Sequence, residues 1–275
     1  MRAKARSATV RVLMLGDVVG KAGRTMLAKR LPVLRKKHHI DCVIANVENL
    51  AHGKGITART LGELLRTGVD VCTSGNHVFN KEGEVLLRDP KYPVIRPANY
   101  PDGTAGRGWI TVPVRNTTLL IINLIGTVFF RDGATYKNPF QTADTILDLP
   151  EAESADGIII DWHTEATSEK LALGWYLDGR ATAVFGTHTH VATDDLRILP
   201  KGTAYRSDLG MVGLRDEILG AERGVITENF VHPESSRAHT WTEEGPTQLH
   251  GVLLDIDTKM KCAIRVEKID QEAEG

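Results

Sequence analysis

Five short apolar runs in this chain stop at residues able to hold a metal ion or move a proton. "VLMLGD" stops at Asp17, "CVIANVEN" at Glu48 and Asn49, "VCTSGNH" at Asn76 and His77, "IIIDWH" at His163, and "VFGTHTH" at His188 and His190. Singly, each ending has an ordinary explanation, because an Asp after a strand caps the next helix and a loop His forms a hydrogen bond. Together they are harder to explain as caps. A loop leaving a strand can turn both imidazoles of a His-x-His toward one pocket. In an open α/β sheet the ligand crevice lies beyond the carboxyl ends of the strands, so residues distant in sequence converge there.

The ligand count points to two ions. Asp17, Glu48, Asn49, Asn76, His163, His188 and His190 offer more donors than one tetrahedral zinc uses. Imidazole, carboxylate and amide oxygen without thiolate suit iron, manganese or zinc. Two ions about 3.5–4 Å apart need a bridging carboxylate, for which Glu48 is the natural residue, and a bridging water or hydroxide. The reaction class that follows is phosphoester hydrolysis by in-line attack of a metal-bridging hydroxide. His77, next to a proposed ligand but not needed for coordination, is the candidate general acid for the departing oxygen.

The elements that must position these residues alternate. "TVRVLML", "DCVIAN" and "VDVCTSG" read as buried strands, separated by helical patterns in "RTMLAKRLPVLRKK", weakened or kinked at Pro32, and in "TARTLGELLRTG", with Thr57 as N-cap and Gly68 as stop. Strand, helix, strand implies a parallel sheet with crossover helices. "RPANYPDGTAGRG" reads as a long ordered loop. "WITVPV" and "TTLLIINLIG" read as strands joined at Arg115-Asn116, followed by a helix near "TADTILDL", the strand "DGIIIDWH", a helix in "SEKLALGWYLDG" and the strand "ATAVFGTHTH". The tail from about Gln248 alternates as a hairpin turning at Asp257–Lys259. With no repeat or linker, residues 9–275 are expected to form one domain after a frayed tail at 1–8.

Composition narrows the partners. The chain has 275 residues, 41% apolar and 25% charged, and a net charge of −1, without the basic excess that extended nucleic acid requires. No stretch approaches the roughly 18 apolar residues of a membrane span. Three widely spaced cysteines, Cys42, Cys72 and Cys262, fit neither a disulfide framework nor a CxxC site, so a cytoplasmic location is expected. A homo-oligomer is expected from base rates alone.

The order Asp, Glu-Asn, Gly-Asn-His, His, His-x-His resembles the calcineurin-like metallophosphoesterases, and more closely their YmdB-type bacterial branch. The resemblance spans nearly the whole chain and rests on "LGDVVGKAGR", "NVENLAHGKGIT", "GVDVCTSGNHVFN", "IRPANYP", "DWHTEATSEKLALGWYLDGR", "GTHTHVAT" and "ILPKGTAYRSDLGM". It implies an α/β fold, an αββα sandwich of two mixed sheets flanked by helices. Asp17, Glu48, Asn49 and His190 would hold one metal, Glu48, Asn76, His163 and His188 the other, with His77 as proton donor. It further implies hydrolysis of small cyclic nucleotides, 2′,3′-cyclic ones first, with iron or manganese as the metals. Val19 and Glu48 depart from the broad superfamily, which has histidine and aspartate there, but agree with the branch. Val47, Phe79 and Asn80 depart from the branch itself, where glycine and Trp-Asp are usual, and bear on pocket shape rather than on any ligand.

Other polar residues have weaker claims. His52 in "AHGKG" and Asp208 in "YRSDLG" are candidate substrate contacts, against plain loop and turn roles. His38 and His39 end a basic helix, and Asp194 and Asp195 read as turn or helix starters. Two competing functions remain: a regulatory nucleotide- or partner-binding protein that retains the metal site, and a metal-dependent amidohydrolase, which also uses His-x-His but normally at the opening of a barrel.

Overall fold

The first strand, β1 (Thr9–Val18), is buried along almost its whole length, as a strand covered on both faces must be. Its side chains alternate between two cores. Val10, Val12 and Met14 face one apolar cluster, and Leu13 and Leu15 face another. The computed structural model describes residues 9–130 and 135–274, so the tail expected at residues 1–8 lies outside the described residues.

Parallel to β1 lie β2 (Cys42–Asn46) and, beyond it, β3 (Val71–Thr73). On its other side β1 meets β10 (Met211–Leu214) in parallel and β11 (Thr247–Asp257) antiparallel, and β12 (Cys262–Ala273) closes that edge as the expected hairpin. Asp257 Oδ1 accepts the Lys259 and Met260 amides in the turn, an Asx arrangement that stops the strand. The second sheet has the order β4 (Trp109–Val114), β5 (Thr117–Ile125), β6 (Gly157–His163), β7 (Ala183–Thr187), β9 (Ala204–Arg206) and β8 (Arg197–Ile198). Within it β5, β6, β7 and β9 run parallel, while the edge strands β4 and β8 run antiparallel.

The two sheets pack face to face. Val12, Met14, Ile44, Val71 and Leu254 of the first meet Ile121, Ile159 and Phe185 of the second in one cluster. Outside the first sheet lie α1 (Gly20–Lys37), α2 (Ala58–Arg66) and α3 (Gly83–Arg88), and outside the second α4 (Pro139–Leu147), α5 (Pro150–Ser154) and α6 (Thr167–Tyr176). This is the expected αββα layering. Each fully buried Leu or Ile contributes about 1.5–3 kcal/mol, so the three apolar clusters fix the relative position of the strand ends. The two open sheets are not a closed barrel, which removes the basis of the amidohydrolase reading.

Local signals behave as their chemistry dictates. Thr57 caps α2 in a reciprocal box with Thr60, and Pro32 sits inside α1, which continues through it to Lys37. The loop expected from "RPANYPDGTAGRG" is irregular but ordered around one buried guanidinium. Arg96 donates to the carbonyls of Pro97, Thr104 and Ala105. No helix among the described residues is long and apolar enough to cross a membrane.

Candidate metal centre

Every proposed ligand sits at or just past the carboxyl end of a parallel strand. Asp17 is the penultimate residue of β1, Glu48 and Asn49 follow β2, Asn76 and His77 follow β3, His163 ends β6, and His188 and His190 follow β7. Because β1, β2 and β3 belong to one sheet and β6 and β7 to the other, the site spans the edge where the two sheets meet.

Glu48, His163 and His188 bring ligand atoms within 4.8 Å of one another. His163 Nε2 lies 3.1 Å from Glu48 Oε1 and 3.0 Å from His188 Nδ1. His190 Nε2 is 3.8 Å from Asp17 Oδ1, and the His188 amide donates to Asp17 Oδ2 at 3.1 Å. The His77 amide donates to Glu48 Oε2 at 2.8 Å, which fixes the proposed general acid against the proposed bridge. Gly75 makes room for this contact. A Cβ there would lie 2.1 Å from His163 Nε2 and 2.4 Å from Glu48 Oε2.

Four side-chain atoms of the proposed ligands are buried without a hydrogen-bond partner: Asp17 Oδ1, Asn49 Oδ1, Asn76 Oδ1 and His190 Nδ1. Buried polar atoms are rarely left so, and bound cations would supply the missing partners. The backbone agrees. His188 and His190 have φ of 97° and 64°, a region that costs a non-glycine residue about 1–3 kcal/mol and is retained where the surroundings require it. The residues present therefore fit a metal-binding group.

Electrostatics between the side chains point the same way. Burial, aided by Asp208 and Glu48, drives the Asp17 carboxyl well above the usual carboxylate range. Burial also opposes ionisation of Glu48, but the adjacent His163 imidazolium outweighs it and holds that carboxyl far below its ordinary value. Burial disfavours the charged form of His163 as well, yet Glu48 raises its pKa to about 9, whereas burial and the neighbouring His163 lower that of His188 to about 3. One proton on His163 thus stands where a cation would bind. Metal loading is expected to release it, so the apparent affinity for manganese should rise with pH up to about 9 and level off above. Calorimetric titration in buffers of different ionisation enthalpy counts that proton, and a pH-independent affinity would contradict the exchange.

Supporting contacts explain how the ligands are held. Thr187 Oγ1 bonds His163 Nδ1 at 2.9 Å and Asp161 Oδ1 at 2.6 Å, which orients the imidazole. His188 Nε2 lies 3.2 Å from Glu165 Oε2. Glu165 was not among the residues read from sequence, and its only signal was its place two residues after His163. Asp208, expected against substrate, is buried and faces the scaffold. It accepts Lys170 Nζ at 2.7 Å, the Thr189 amide and hydroxyl, and the Gly210 amide, and so braces the His-x-His segment from behind. His52 lies outside the lining of the cavity bordered by Glu48, His77, His188 and His190, its side chain mostly exposed and 3.6 Å from Glu243. Val47 is fully buried in the core, and Phe79 packs edge-on against Tyr100, so neither lines the cavity.

The family model for YmdB-like proteins matches residues 13–269. The chain belongs to that family. Over 260 residues it is 45% identical to a relative named 2′,3′-cyclic-nucleotide 2′-phosphodiesterase from Bacillus subtilis (strain 168), covering 94% of this chain and 96% of the relative. A crystal structure described as a novel phosphatase from Mycoplasma pneumoniae superposes with a TM-score of 0.89 at 33% identity, over 97% of this chain and 94% of that one. A hypothetical protein from Thermus thermophilus superposes with a TM-score of 0.88 at 37% identity, over 97% and 100%. The double sheet of this YmdB-like protein is the calcineurin-like fold.

Proposed function

We propose that this phosphodiesterase hydrolyses small 2′,3′-cyclic nucleotides at a dinuclear metal centre, with His77 as general acid. The observation that carries the reading is the convergence of Glu48, His163 and His188, with Asp17 against His188 and His190. Side-chain oxygens of Asp17, Asn49 and Asn76, at the ends of β1, β2 and β3, are also buried without hydrogen-bond partners. The name of the Bacillus subtilis relative supports the substrate class.

Asp17, Glu48, Asn49 and His190 would hold one ion, and Glu48, Asn76, His163 and His188 the other. Iron or manganese suits this mixture of imidazole, carboxylate and amide oxygen, with zinc also compatible. Ions held by these residues would supply polarisation of the phosphoryl group and a bound water whose pKa is brought near neutrality. The chain supplies the rest. Glu48 is held in place by the His77 amide and by its own backbone, whose carbonyl accepts the Gly55 amide at 2.5 Å. As water adds to phosphorus and the ester P–O bond breaks, His77 gives its proton to the departing ribose oxygen. His77 and Lys54 line the same cavity as Glu48, so an acid and a positive charge both border the reacting phosphate.

His77→Ala is expected to lower kcat on 2′,3′-cyclic AMP by roughly 10²-fold or more. The same variant should lose far less on a phosphodiester whose leaving group is p-nitrophenolate, which needs no proton. Equal losses on both substrates would remove His77 from the acid role.

A further inference from the structure

The cavity in front of Glu48 and His188 has a volume of about 610 Å³, within the range of small-molecule sites. Its sides differ in chemistry. One carries the proposed metal ligands and His77. The other is built by residues 218–241, which contribute Ile218, Leu219, Ile226, Phe230 and Trp241. Chemistry at phosphorus makes no use of that apolar side.

The apolar side is held to the metal side at a defined point. The Trp241 indole packs over Gly53, where a Cβ would fall 2.4 Å from the ring, and the Gly53 carbonyl accepts the side-chain amide of Asn49, four residues earlier, at 2.9 Å. Helix α7 (Arg223–Val231) places Ile226 and Phe230 four residues apart, on one face. Ile226 is buried and anchors the helix, whereas Phe230 is 83% exposed, a phenyl ring bordering the cavity with little covering it. Asn229, the amide on this wall, is already engaged. It donates to the Arg237 carbonyl and accepts the Arg237 amide, both at 2.8 Å, and so shapes the arm rather than offering a hydrogen-bond edge.

We propose that residues 218–241 form the nucleobase subsite, in which the base of the substrate packs on Phe230 and the neighbouring aliphatic side chains while its cyclic phosphate faces the metal ligands. The inference rests on the cyclic-nucleotide reading of the site. A wall of mainly apolar faces, with the Asn229 amide engaged and Ser236 and His239 as the other polar side chains bordering it, reads the presence of a base more than its identity. Every base has a π-face, so stacking tolerates all four.

The test compares 2′,3′-cyclic AMP with the base-free 2′,3′-cyclic phosphate of methyl riboside, in manganese-loaded wild type and Phe230→Ala. Wild type is expected to show a KM about tenfold lower for the nucleotide, and the four 2′,3′-cyclic nucleotides should agree within about threefold. In Phe230→Ala the ratio of the two KM values should fall toward one. A wild-type ratio near one, or a ratio unchanged by the substitution, overturns the subsite. So does dissociation of an oligomer by Phe230→Ala with base preference intact, because a second copy would then cover the ring. If wild type hydrolyses neither compound, the proposed reaction fails and calorimetry decides the subsite. Tighter binding of the nucleotide that is lost in Phe230→Ala keeps it, and equal binding of both compounds removes it.

Discussion

Glu48→Gln is expected to abolish hydrolysis of 2′,3′-cyclic AMP, by at least about 10³-fold, and to lower metal content while the chain remains folded. Glutamine has the size of glutamate but no charge, so it cannot bridge two cations. Its amide also replaces a carboxylate that currently pairs with His163 at 3.1 Å in a fully buried setting. Removing one member of a buried pair costs about 3–5 kcal/mol when the other must stay charged. His163 need not stay charged. Its pKa is near 9 mainly because Glu48 overcomes burial, so without that partner the imidazole sheds its proton at neutral pH. The loss of stability is therefore smaller than the loss of function. Circular dichroism with metal analysis and a turnover assay distinguishes them, and a folded Glu48→Gln protein with wild-type turnover would contradict the bridging role.

Gly75→Ala is expected to be nearly as damaging, although Gly75 carries no functional group. Its φ is not in the left-handed region, so only space is at issue. The added methyl would sit 2.1 Å from His163 Nε2 and 2.4 Å from Glu48 Oε2, so both buried side chains would have to leave their present positions. Overpacking of this kind costs about 1–3 kcal/mol, and the displaced ligands should lower turnover by roughly 10²-fold. Gly62→Ala is the control. There the nearest atom is the mobile end of Arg66 at 3.4 Å, and a helix interior gains up to about 1 kcal/mol from the exchange. Thermal melts and assays of both variants check the contrast, which fails if Gly75→Ala retains activity.

The strands and their polar ends were legible because parallel strands buried on both faces read as unbroken apolar runs, against which Asp17, His163 and His188 stand out. The far wall of the cavity was not. Helix α7 buries only Val225 and Ile226, so it has no apolar periodicity to detect, and β8, β9 and β10 are two to four residues long. The place of Asp208 was equally hidden, since its partner Lys170 lies 38 residues earlier and nothing local marks the pair. Glu165 shows the same limit. A single acidic residue after His163 acquires meaning only when the fold brings His188 to it.

The most direct test of the account is the metal content of the purified, reconstituted protein. Supplied with iron or manganese, the chain is expected to hold about two ions, both retained in His77→Ala and reduced in Glu48→Gln. One ion or none per wild-type chain would contradict the dinuclear centre.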